Sequence, residues 1–114
     1  MSIIHYNLKL VRDKIPQIIE LSGKKADIIK LSLDEYREAL KDKLIEEAQE
    51  LLEAETEDQL IDELVDIAEV WRSIIDAFCI DIDDVAQKYI DKKTQKGGFK
   101  KKYFLCCVED QAEE

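Results

Sequence analysis

Apolar residues recur at helical spacing through most of this chain, in three runs separated by short polar breaks. The first run predicts a long helix from about Asp34 to Ala54, with Leu44, Ala48, Leu51 and Leu52 as its buried stripe. Ser32 stands before it with Glu35 three residues on, the spacing of a capping box. The second run carries Leu60, Leu64, Ile67, Trp71 and Ile75 and reaches Phe78. Thr56 is its N-cap, and Glu57 and Asp58 suit the positive end of the helix. A third helix runs from the cap Asp81 to about Lys96 and stops at Gly97-Gly98. Ahead of all three, Pro16 and Gly23 bracket a short helix. Residues 1–11 read as a short extended arm, and Ala26 to Leu31 as a small strand or extended arm. The break near Glu55 is too short for anything but a tight reversal. The expected fold is all-α: an antiparallel helical bundle built on a long helical hairpin, with a short N-terminal extended arm, in one domain over 1–114.

Composition agrees. With 46% hydrophobic and 39% charged residues, only three Gly and one Pro, the chain is apolar enough to fold and poor in helix breakers. Helices this apolar in a chain of 114 residues predict a homodimer or a dimer of dimers. A net charge of −10 argues against a nucleic-acid polymer as partner. It does not exclude a polyphosphate, provided that a divalent cation stands between the two. Cys79, Cys106 and Cys107 contain no C-x-x-C pair, and His5 is the one histidine, so zinc has no ligand set. Without a leader pattern or a bilayer-length apolar run, the expectation is a cytoplasmic protein with no membrane segment.

The candidate chemistry lies in two acidic motifs. The first long helix carries Glu46-Glu47-Ala48-Gln49-Glu50, and the second carries Glu63-Leu64-Val65-Asp66. Residues three or four apart share a helix face, so each motif presents its carboxylates together. Such runs are usually solvated faces. Here Glu47 and Glu63 are nearly equidistant from the turn at Glu55, which sets the motifs opposite each other in the hairpin. Glu47 borders the apolar stripe of its helix, with Glu50 and then Glu46 beyond it. Glu63 and Asp66 sit at the edge of theirs, and Val70 and Ala77 continue along their side. A purely solvated face would stay polar there. Asp62, Glu69 and Asp76 fall on the outer face. Like charges at half-buried positions repel and resist desolvation, and a cation offsets both costs. Carboxylate oxygens suit Mg²⁺ or Mn²⁺, and the absence of a helical histidine argues against a di-iron site.

At these residues the chain resembles the MazG-like all-α nucleotide pyrophosphohydrolases, in particular the phosphoribosyl-ATP pyrophosphohydrolase-like subgroup. The likeness rests on E-E-x-x-E, a dozen intervening residues and E-x-x-D, within Lys43-Leu-Ile-Glu-Glu-Ala-Gln-Glu-Leu and Asp62-Glu-Leu-Val-Asp-Ile. Leu10-Val-Arg-Asp-Lys-Ile-Pro16 and Lys93-Thr-Gln-Lys-Gly-Gly-Phe99 extend it over about residues 6–104. The resemblance implies a Mg²⁺-dependent hydrolase, with Mn²⁺ as a substitute, that cleaves the α–β phosphoanhydride of a nucleoside triphosphate to a monophosphate and pyrophosphate. It places Glu46, Glu47, Glu50, Glu63 and Asp66 on the metal-binding positions, and Lys93 and Lys96 on substrate phosphate. One Glu of the first motif, Glu46 or Glu47, is expected to orient the water instead of binding metal. Lys96 stands where an Arg is common, which loses bidentate geometry. The base and sugar do not transfer. Hydrolysis of phosphoribosyl-ATP in histidine synthesis, and a non-catalytic nucleotide-binding helical module, stay open as alternatives.

Other residues have plainer readings beside functional ones. Lys92, Lys93, Lys96 and Lys100 to Lys102 complement the negative end of the last helix as well as they suit phosphate. Arg12, Asp13 and Lys14 form a salt-bridge cluster or line a nucleotide pocket. Trp71 reads as core, and His5 and Tyr6 as packing or a base-stacking pair.

Overall fold

The structure, a computed structural model, describes Ile3 and residues 8–112. The described residues form four helices and no strand: α1 Ile15–Leu21, α2 Leu33–Glu53, α3 Glu57–Ala77 and α4 Ile82–Lys96. The chain divides into two compact units, residues 1–80 and 81–114. The first holds α1 to α3; the second holds α4 and the tail.

Local chemistry sets the helix ends. The Ser32 hydroxyl accepts from Glu35 N at 3.2 Å, and the Glu35 carboxylate accepts from Ser32 N at 3.0 Å, completing the capping box. The bond from the Ser32 backbone N–H to the ionised carboxylate holds the Glu35 pKa below the usual glutamate value. Thr56 and Gln59 make the same reciprocal pair at the start of α3. Between Glu53 and Glu57 the backbone has only three residues, so α2 and α3 return against each other as an antiparallel hairpin. Asp81 caps α4 through Asp83 N at 2.9 Å, and Gly97, at φ 81°, ends it. Segment 24–31 has neither helix nor strand, so it is an arm and not a ladder partner. Among the described residues three non-glycines take a positive φ, one of them Cys79 at 53°, where α3 closes.

Among the described residues, Leu40 of α2 and Val70, Ile75 and Ala77 of α3 are the buried apolar ones. The open end of the hairpin is tied by Arg37, whose Nε donates to the Ala77 carbonyl at 2.9 Å and whose guanidinium carbon lies 5.0 Å from the Phe78 ring centre. A cation there meets the negative end of α3 and the face of an aromatic ring at once. Arg37→Ala is expected to destabilise the protein by about 2 kcal/mol, since it strips a charged donor from a half-buried carbonyl. Urea unfolding followed by circular dichroism checks this, and Arg37→Lys should lose less.

Of the expected stripe, Ile75 is buried and Leu44, Leu51 and Ile67 are half-buried, but the rest differs. Leu52 is 85% exposed and Trp71 47%, and Ala48, Leu60 and Leu64 also face solvent, so none of the five is core. The side of α3 turned to α2 is instead the one that carries Glu63, Asp66, Val70 and Ala77. The reason is that α3 is apolar around most of its girth, and its larger residues fall on the side that α2 does not cover. Val65 and Ile61 widen that open apolar strip. Asp62, Glu69 and Asp76 are exposed, as the helical spacing requires.

Candidate functional site

The hairpin brings Glu47 and Glu50 of α2 against Glu63 of α3. One carboxylate oxygen from each lies within 4.8 Å of the others. Glu47 is 6% exposed, the one buried charged residue among those described. Its Oε2 and the Oε2 of Glu63 are buried without a hydrogen-bond partner. Buried acceptors are almost always satisfied by protein, water or an ion, so two such oxygens on facing helices leave a demand that the described side chains do not meet.

Charge says the same. Burial, and then the proximity of Glu50 and Asp66, push the Glu47 pKa up to about 7, against the downward pull of Lys43. Burial also raises the pKa of Glu63, with Glu50 as the next cause. Burial and crowding thus favour protonation of Glu47 and Glu63 over the ordinary glutamate behaviour.

Two basic side chains take the remaining carboxylates. Lys43 is largely buried, and its Nζ lies 3.2 Å from Glu46 Oε2 and 3.6 Å from Glu47 Oε1. Arg12, from the arm before α1, donates from Nη2 to Asp66 Oδ1 at 2.7 Å. Of the five expected ligands, then, Glu47, Glu50 and Glu63 converge, while Glu46 and Asp66 flank them in ion pairs. Sequence reasoning missed Lys43 as part of the site. Its spacing of three and four from Glu46 and Glu47 is the signal that finds it. Arg12 pairs with Asp66, fifty-four positions away, and its bond is not to Asp13.

Do these residues fit a divalent cation? The donor set is oxygen only, comes from two rigid helices and includes two acceptors that lack a donor. That is the chemistry of a hard cation such as Mg²⁺ or Mn²⁺. Lys93 and Lys96 belong to the second unit, in the last turn of α4. Lys93 Nζ stands 5.9 Å from the Tyr89 ring centre. His5 and Tyr6 lie outside the described residues. Among the described residues no helix is long and apolar enough to cross a membrane.

Comparison with known proteins adds little. No family model matches the chain, and no solved structure matches it. A stretch of 54 residues, 47% of this chain, is 48% identical to an uncharacterized protein of Mycolicibacterium smegmatis. The chain spans only about half of that curated relative, 55% of its length.

Proposed function

We propose that this chain is a nucleoside triphosphate pyrophosphohydrolase that uses Mg²⁺, or Mn²⁺ in its place, to release a nucleoside monophosphate and pyrophosphate. The observation that carries the reading is the buried Glu47 carboxylate, with an unpartnered oxygen, facing Glu50 and Glu63 across the hairpin. The resemblance to MazG-like enzymes supplies the reaction; the carboxylates supply the reason that a cation is needed.

Glu47, Glu50 and Glu63 would hold the cation. When bound, it would draw charge from the phosphate oxygens and polarise the attacking water. Glu46, half-exposed beside the cluster and held by Lys43, orients that water. Lys43 keeps the α2 carboxylates in place and tempers their repulsion. Asp66 completes the acidic wall. Lys93 and Lys96 are assigned to phosphate by the resemblance alone. The setting is the cytoplasm, with the nucleotide as partner and neither nucleic-acid polymer nor membrane.

The working unit is a homodimer or a dimer of dimers, because the open apolar strip on α2 and α3 needs a cover. Light scattering at micromolar concentration should show no monomer, and a monomer-only result would remove this element.

The reaction is tested with a panel of triphosphates, phosphoribosyl-ATP included, incubated with Mg²⁺ and resolved by ion-exchange chromatography. Monophosphate and pyrophosphate are expected. Diphosphate and orthophosphate would overturn the reaction, and binding without turnover would leave a non-catalytic module.

A further inference from the structure

Arg12 lies on the arm before α1, and its own carbonyl accepts the Ile15 N–H that opens that helix, at 3.0 Å. The root of the side chain is therefore fixed beside a helix start. Its far end crosses to α3 and meets Asp66, one helical turn on from Glu63. The contact uses one nitrogen of the guanidinium, and the described hydrogen bonds give the group no other partner. A guanidinium offers five N–H donors in a planar fork that matches the oxygens of a phosphate. The Arg12 side chain is 53% exposed. An ion pair this open is weak and readily exchanged.

Charge around the site gives that exchange a purpose. Five carboxylates line it, and among the described residues two basic side chains pair with them. Lys43 is largely buried and committed to Glu46 and Glu47, so it has no freedom to meet a substrate. One divalent cation leaves this wall with little positive charge to spare for an incoming polyphosphate. Arg12 is a half-exposed cation at the rim, and it sits on a carboxylate that would also attract a bound cation.

We propose that Arg12 is a phosphate-binding residue of this site, held on Asp66 until a polyphosphate arrives, so that release of Asp66 to the cation and capture of the phosphate are one exchange. The inference rests on the cation reading above. A side chain that merely pins the arm to α3 would compete for Asp66 in the same way but would not set the affinity for substrate, so KM is the readout that separates the two.

The test pairs two readouts on the full chain. In calorimetric titration with Mn²⁺ alone, Arg12→Ala should bind Mn²⁺ at least ~3-fold more tightly than wild type, because a competitor for Asp66 is gone. In an Asp66→Asn background the same change should have no effect on Mn²⁺ affinity. At saturating Mn²⁺, Arg12→Ala should raise KM for the triphosphate at least ~10-fold, with a smaller change in kcat, the scale of a lost charged contact to phosphate. Arg12→Lys should recover part of the KM, since charge remains and the fork is lost. If wild type takes up no Mn²⁺, the cation reading falls and takes this one with it. If wild type binds Mn²⁺ and Arg12→Ala matches it in both readouts, the Arg12 assignment alone is wrong. An unchanged KM overturns the phosphate role whatever the Mn²⁺ result.

Discussion

Glu47→Gln should lower turnover at least ~100-fold and, at the same time, make the cation-free protein more stable. Loss of activity on removing a cation ligand is the ordinary half of this result. The stability gain is specific to the geometry. Glu47 is buried on α2 with one oxygen unpartnered, and its pKa stands at about 7 against an ordinary 4.5. Above pH 7 the folded protein must carry that ionised group in a poor environment, at a cost on the order of 3 kcal/mol. An amide of nearly the same shape avoids the charge. Chemical unfolding at pH 8 in the presence of a chelator should show the gain, while the same variant should be inert with every triphosphate. Glu69→Gln is the control: it is close in sequence but exposed on the outer face of α3, and it should change neither property.

The second large effect is a pH dependence that Mg²⁺ erases. Because the folded-state pKa of Glu47 is raised, the folded chain binds a proton that the unfolded chain has already released. The stabilisation from that proton is fully present below about pH 4.5 and is lost as pH rises through about 7. Glu63, also raised, acts in the same direction. Glu35 is lowered and acts oppositely, with its contribution lost only as pH falls below the ordinary glutamate range. The cation-free melting temperature should therefore fall between pH 5 and pH 8, and fall less in Glu47→Gln. On the proposed reading Mg²⁺ would replace the proton, so saturating Mg²⁺ should raise the melting temperature most at pH 8 and least at pH 5. At a hundred times its Kd the gain is about 2.7 kcal/mol. Binding near pH 6 should also release protons, visible as a calorimetric enthalpy that changes with the ionisation heat of the buffer. A cation-free melting temperature that is flat across this range would contradict the burial of a protonated Glu47.

Helix boundaries were legible because their signals are local. Ser32 with Glu35, Thr56 at the hairpin, Asp81 and Gly97 each act within a turn of the backbone that they terminate. The meeting of the two acidic motifs was legible too, since counting outward from a three-residue turn fixes height along both helices. Facing was harder. Leu60, Leu64 and Trp71 make a regular stripe, yet that stripe is open in the single chain and α3 packs through Val70, Ala77 and its carboxylates. Periodicity marks an apolar face without saying what covers it, and a helix with two such faces leaves the choice to tertiary packing. Lys43 could have been found from its spacing to Glu46 and Glu47. The Arg12–Asp66 pair could not, because it joins an irregular arm to a helix across fifty-four positions.

The central claim is that Glu47, Glu50 and Glu63 form a divalent-cation site. Calorimetric titration of Mg²⁺ into the chelator-treated protein at pH 8 tests it without reference to any substrate. Saturable binding is predicted in wild type and in Glu69→Gln, and loss of that binding in Glu47→Gln and Glu63→Gln. Absence of saturable binding in wild type, or the same isotherm in all four proteins, would contradict it.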